Sequence, residues 1–315
     1  MLFIVAGHSV IHGINEISLT VNGMLAIVLT QGSRIGVDIF ILITGYFSVG
    51  KEVTVKKIKK LYIQIITYSL IITIVMCVLG ETSVSSLIYA LLSVVTSRYW
   101  FVTCYVMLIL LSPALQIFIK YVDKSTYQKI LIIFFVMWSV CPTLHIGQPG
   151  YSNFAWFVYV YLLAAYMRIW KPKIIYKLKA FHGVLFLALI ELGAISTYTL
   201  GNNIAFFKEN AIYLYSEMNT ISGITCAVLL FCGFKNMKMK SNYTVNKIAG
   251  CMFGVYLFHD NPYIRHFLWV KALKNAYWFD KKMFPLHMLI SILAVFGMGI
   301  IIEYIRQKSV KRLFR

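Results

Sequence analysis

Charge is scarce in this sequence, and acid scarcer still: 13% of the residues are charged, with 11 Asp plus Glu against 30 Lys plus Arg. With 60% hydrophobic residues and a mean hydropathy of +0.76, the composition excludes a soluble domain. Strict alternation of polar and apolar residues is also missing, which argues against a transmembrane β-barrel. The six cysteines (Cys77, Cys104, Cys141, Cys226, Cys232 and Cys251) form no CxxC pair, and no His or Cys partner stands at metal-ligand spacing. They read as buried, inert thiols, and no metal site is legible. Also absent are a glycine-rich phosphate loop, an internal repeat and a low-complexity linker.

What is present is a series of unbroken apolar runs. In lipid every backbone polar group must be satisfied internally, so these runs predict an all-α, polytopic transmembrane helical bundle. The expected spans are Met1–Gly13, Ile35–Gly50, Leu61–Leu79, Tyr99–Ile119 (bent beyond Pro113), Ile130–Leu144, Phe154–Trp170, Phe181–Leu200, Ala211–Phe234, Ile248–Phe258 and Leu286–Ile305. That is about ten, in a single membrane domain over residues 1–315. Between the first two spans, Ile14–Ser33 is mixed in character and reads as a surface or re-entrant segment. Leu87–Val95 is too short to cross alone.

The net charge of +19 would suggest nucleic acid in a soluble protein. Here the basic residues gather between the apolar runs, at Lys51–Lys60, Lys120–Lys129, Arg168–Lys179, Lys235–Lys247 and Arg306–Arg315, which is the positive-inside pattern. Nucleic acid is therefore not an expected partner; membrane lipid is. The pattern places both termini in the cytoplasm of a multi-pass protein, and the abundance of Ile and Lys reads as a bacterial plasma membrane. Pro262–Lys282 is the exception: it should lie outside yet carries Arg265, Lys271, Lys274, Lys281 and Lys282. Either a span is miscounted or this segment is an outer patch for an anionic acceptor or lipid headgroup; the second is our expectation.

Ionisable groups inside apolar spans are costly and default to a functional reading. His8 and His12 stand at i, i+4 in the first span, on one helix face. Asp38 opens the second span; either it pairs with Arg34 one turn back or it orients an imidazole, as carboxylates do for catalytic histidines. Arg98, Tyr99 and Trp100 begin a later span, where an aromatic belt and a snorkelling Arg are the bland account. His259, Asp260, Asn261 and Arg265 make the densest polar cluster near a span end. Glu191 and Glu303 are isolated acids, Glu303 close enough to the basic tail to be interfacial.

Four stretches carry a resemblance: GHSVIHG (7–13), VDIFILITGYFSV (37–49), RYWFVTCYVMLILLSPAL (98–115) and GVYLFHDNPYIRHFLW (254–269). In register along nearly the whole chain, they resemble the acyltransferase family 3 membrane proteins. The resemblance implies an O-acyltransferase moving an acyl group, most often acetyl, from acetyl-CoA or another acyl-CoA as donor substrate. The acceptor would be a sugar hydroxyl of a cell-envelope polysaccharide or a lipid-linked glycan. No bound cofactor is expected.

The resemblance implies His8 as the catalytic residue, either deprotonating the acceptor or carrying the acyl group itself; our reading of the residues themselves adds Asp38 as the carboxylate that orients it. The family commonly has a small polar residue at the Asp38 position. Substrate binding then falls to His12, Arg98, Tyr99, Trp100, His259, Asn261 and Arg265. The competing reading is a transporter or flippase of lipid-linked glycans, since intramembrane His and Asp also suit proton relays. The first span spans only about 20 Å from Met1 to Gly13, against a hydrocarbon core of about 30 Å. It also lacks the family's basic residue about three turns before the histidine. Both features lead to the expectation of a longer native N-terminus.

Overall fold

The structure, a computed structural model, describes residues 1–18, 20–201, 204 and 217–313. In chain order its helices are α1 (Leu2–Ile11), α2 (Val21–Ser48), α3 (Val55–Val78), α4 (Ser86–Leu91), α5 (Trp100–Tyr121) and α6 (Lys124–Thr143). Then come α7 (Asn153–Trp170), α8 (Lys173–Lys177), α9 (Ala180–Leu200), α10 (Ile221–Lys235), α11 (Tyr243–Ala249) and α12 (Met252–His259). The chain ends with α13 (Pro262–His266), α14 (Asn275–Phe279) and α15 (Phe284–Leu313). No strand occurs among the described residues.

Six of these helices (α2, α3, α5, α6, α9 and α15) are long and apolar enough to cross a membrane. The protein is a multi-pass, α-helical membrane protein. The other expected crossings fall on α1, α7, α10 and α12, of 10, 18, 15 and 8 residues. The expected start of one span, residues 211–216, lies outside the described residues.

The segment read as surface or re-entrant belongs instead mainly to α2, whose 28 residues run unbroken. Three of its hydroxyls bond back into the helix, Thr30 donating to Ala26 O, Ser33 to Thr30 O and Thr44 to Phe40 O, while Asn22 reaches Phe279 O and Lys281 O. A hydroxyl that bonds back into its own helix no longer forces that stretch to the surface. Helix α5 continues through Pro113. Helix starts are set by capping side chains, which accept the otherwise orphaned amides: Asp123 from Thr126, Ser152 from Ala155, Thr220 from Gly223 and Asn242 from Val245.

The chain folds as two compact units. The first comprises Met1–Ser33, Lys56–Thr103 and Met239–Arg315. In it α1 and α12 both pack on α15. Gly7 lets α1 approach closely, since a Cβ there would run into the Ser33 side chain. Asn275 fastens α14 to α1 by donating to Ser9 O at 2.8 Å, and its own amide oxygen meets His287 Nε2 at 3.0 Å.

The reading of Glu303 as interfacial is corrected here: it is 1% exposed and accepts from Tyr68, Gln64, Gln307 and, through both oxygens, Arg306. Gly254 of α12 lies against this carboxylate, where any side chain would displace it. Two of the five charges in Pro262–Lys282 are also accounted for. Lys271 pairs with Glu81 at 2.6 Å, and Arg265 Nη1 lies 3.8 Å from Asp260.

The second unit comprises Arg34–Val55 and Cys104–Lys238. Helices α9 and α10 pair along their length, with Gly183 against Leu230 and Gly233 against Ala180. Helix α6 is held to α7 by Tyr127, which donates to Leu162 O, and by Gln128, which donates to Tyr166. Glu191 sits in α9 with Oε2 buried and no hydrogen-bond partner among the described residues.

Candidate functional site

One turn of α12 and the residues after it carry the chemistry. Tyr256 and Asp260 are four residues apart, so the phenol reaches the carboxylate and donates to Asp260 Oδ2 at 2.6 Å. Past the helix end, Asn261 caps the next helix by accepting from Tyr263 N, and Pro262 begins α13. This sharp turn aims His259, Asp260 and Asn261 inward, at 0%, 3% and 0% exposure.

From α1 and its C-terminal residue come His8 and His12. His8 Nδ1 lies 3.1 Å from His259 Nε2 and 3.3 Å from Asp260 Oδ1. His12 Nε2 lies 3.3 Å from the same carboxylate oxygen. Asp260 therefore meets two imidazoles, a phenol and the Arg265 guanidinium. Burial by itself would raise its carboxyl, but the neighbouring His8, the His12 hydrogen bond and His259 outweigh that and hold it below the usual carboxylate range.

The tautomers follow from one bond. His259 Nδ1 lies 2.7 Å from Val255 O, and a carbonyl only accepts, so Nδ1 carries the proton. Neutral His259 then presents a bare Nε2, which accepts from His8 Nδ1. His8 thus holds a proton on Nδ1, shared between His259 and Asp260, which leaves Nε2 as its second nitrogen. A neutral imidazole with an anchored Nδ1–H and a basic Nε2 is the form a general base requires.

The acyltransferase domain family, acyltransferase family 3, matches residues 1–304. The chain belongs to that family. No curated protein and no solved structure matches the chain.

Within this acyltransferase the structure brings together most of the residues marked in the sequence. His8, His12, His259 and Arg265 converge on Asp260. Asn261 donates to Tyr99 OH at 2.5 Å, and that hydroxyl in turn donates to Leu257 O at 3.2 Å, which ties the start of α5 to α12. Arg98 stacks on Tyr263, its guanidinium carbon 3.7 Å from the ring centroid. Its buried Nη1 has no hydrogen-bond partner among the described residues. Trp100 packs edge-on against Phe101, whose ring lies 5.0 Å from Tyr256.

Asp38 is the remaining acid assigned to the site from the sequence. It lies in the second unit, where its Oδ1 accepts from Trp156 Nε1 at 2.9 Å, while Arg34 pairs with Glu217 at 3.8 Å. The carboxylate that meets the histidines is Asp260. Asp260 stood in the polar cluster read from sequence without a role, and Tyr256 was missed. Their four-residue spacing in YLFHD was the available signal.

One ligand atom each from His8, His12 and Asp260 falls within 4.8 Å of the others, a set that could also close around a cation. Two nitrogens and a carboxylate oxygen suit a transition metal. The contacts between them are equally those of hydrogen-bonded partners.

Proposed function

We propose that this membrane acyltransferase is an O-acyltransferase that moves an acyl group, acetyl foremost, from acyl-CoA to a sugar hydroxyl of a cell-surface polysaccharide or lipid-linked glycan. The observation that supports this best is the relay from Val255 O through His259 to His8, which leaves the basic nitrogen of His8 as Nε2. In the reaction, Nε2 takes the proton of the acceptor hydroxyl as its oxygen attacks the thioester carbonyl. The new ester C–O bond forms and the C–S bond breaks. The departing thiolate then recovers the proton from the His8 imidazolium, so the base is regenerated.

Asp260 acts as a positioning residue. It holds His8 through Nδ1 and stabilises the imidazolium while it exists. His12 and Arg265 keep that carboxylate charged. The buried, unpartnered Arg98 Nη1 is a donor for a substrate oxygen, and the Tyr263 ring holds the guanidinium in place. The bacterial plasma membrane and cytoplasmic termini belong to this same reading, because acyl-CoA is a cytoplasmic donor.

The test is transfer of labelled acetyl from acetyl-CoA to lipid-linked or polymeric glycan by the protein in proteoliposomes. Label that appears in glycan and is released by mild base as acetate supports the proposal. Glycan that crosses the bilayer unmodified, with no label transferred, would replace it with the flippase reading.

A further inference from the structure

At the lysine-rich end of α15, away from the histidines, a cleft of about 330 Å³ opens between α15 and α11. It is lined by Tyr243, Asn246, Lys247, Tyr304, Gln307 and Lys308, all within the first unit. The two ammonium groups converge on one ring: Lys247 Nζ lies 4.2 Å and Lys308 Nζ 4.8 Å from the Tyr304 centroid, and Lys247 also donates to the Tyr304 hydroxyl at 3.1 Å. Lys247 is additionally 5.5 Å from the Tyr243 ring. Among the described residues neither lysine has an ion-pair partner. Glu303, the residue before Tyr304, is already held by Arg306 through both oxygens. Two like charges drawn to one point without an anion repel, and a bound anion relieves that repulsion.

The remaining lining adds a second recognition chemistry. Asn246 spends its NH2 on Ser241, and Gln307 spends its NH2 on Gly250 O and Glu303. Both amide oxygens are therefore left as acceptors. The Tyr243 ring is 78% exposed. A ligand that satisfies the whole cleft carries phosphate for the ammonium groups, a flat ring for the tyrosines and an amino group for the amide oxygens. A lipid headgroup supplies phosphate and, in an amino-phospholipid, an amino group, but no flat ring; an adenine nucleotide supplies all three. Gln307 and Arg306 share Glu303, and Arg306 borders a separate apolar cavity of about 350 Å³ that reaches Phe258, the residue before His259.

We propose that this cleft binds the phosphorylated adenine-nucleotide end of the acyl donor, with Lys247 and Lys308 on phosphate and Tyr243 on the base. The choice of nucleotide rests on the donor reading above. The test uses the full-length protein in nanodiscs and the double variant Lys247→Gln/Lys308→Gln, with adenosine 3′,5′-bisphosphate as the binding probe. The lysines are solvent-facing, so the variant is expected to fold, and Lys→Arg at both positions should rescue it.

Losing two charge-assisted contacts should weaken nucleotide binding about tenfold or more. The KM for acetyl-CoA should rise by a similar factor at nearly constant kcat, while transfer from acetyl-pantetheine, which lacks the nucleotide, stays unchanged. Nucleotide affinity equal in wild type and double variant would overturn the proposal. So would a loss confined to retention of phosphatidylglycerol in mixed nanodiscs, which would assign the cleft to lipid. If acetyl-CoA transfer is normal in both proteins, the cleft assignment fails and the acyltransfer reading stands. If wild type binds the nucleotide through these lysines yet transfers no acetyl group, the cleft stands and the donor chemistry fails.

Discussion

Asp260 and Asp38 are both buried aspartates in apolar surroundings, one in each compact unit, and their partners set them apart. Asp260 receives Tyr256, His8, His12 and Arg265. Asp38 receives Trp156 on one oxygen, and its other oxygen is buried with no hydrogen-bond partner among the described residues. A buried charge is tolerable where cations and donors meet it, and expensive where a single neutral donor does. Asp260 therefore has the surroundings of a working carboxylate, and Asp38 those of a packing element that fixes Trp156. Two buried acids can thus differ in how many donors and cations the protein brings into direct contact with them.

The comparison can be broken by substitution. The largest effect is expected at the base itself: His8→Ala should lower acetyl transfer by about 10²–10⁴-fold while membrane insertion is unchanged. Activity within a few-fold of wild type would remove His8 from the mechanism. Asp260→Asn should come next, at about 10²-fold or more in kcat, because the amide can turn an NH2 toward His8 Nδ1 and disturb its tautomer. If both act through one imidazole, the double variant His8→Ala/Asp260→Asn should be no worse than His8→Ala alone; multiplying losses would mean separate roles.

A third carboxylate sharpens the contrast on stability. Glu303 and Arg306 are 1% and 14% exposed at the side chain. Removing one partner by Arg306→Met should cost about 3–5 kcal/mol, read as lost thermal stability in detergent, because it strands a buried charge. The pair of changes Glu303→Gln/Arg306→Met should recover much of the loss. His12→Ala should reduce transfer less than Asp260→Asn, since it removes one of several partners of the carboxylate; an effect as large as that of His8→Ala would show that the base has been misassigned. Asp38→Asn should be smallest, within a few-fold in transfer, because Asn keeps the acceptor for Trp156. A loss matching Asp260→Asn would erase the distinction between the two acids.

Much of this was legible from local pattern. Apolar runs and basic connectors marked a helical membrane protein, and GHSVIHG marked His8. The polar cluster at His259–Arg265 stood out because four polar residues close an apolar run. Three features were not legible locally. The mixed stretch before Ser33 is mostly helix, its polar side chains met partly by its own backbone and partly, at Asn22, by Phe279 O and Lys281 O more than 250 residues away. Glu303 looked interfacial from its nearness to the tail, yet Tyr68 and Gln64, more than 230 residues earlier, draw it inside. Asp38 was chosen as the imidazole's carboxylate because it is the ionisable group in the next span, a choice based on order along the chain.

By itself, then, the sequence determined that the chain is a membrane-embedded helical acyltransferase and singled out His8, because hydropathy, charge placement and short motifs are properties of neighbouring residues. Only the tertiary structure decided which carboxylate that histidine meets. His8 and His259 are 251 residues apart, and the pairing depends on α1 and α12 both packing on α15. Helical periodicity says which side chains share a face and nothing about which distant face will oppose it. The proton on His8 Nδ1 is placed by that same long-range contact.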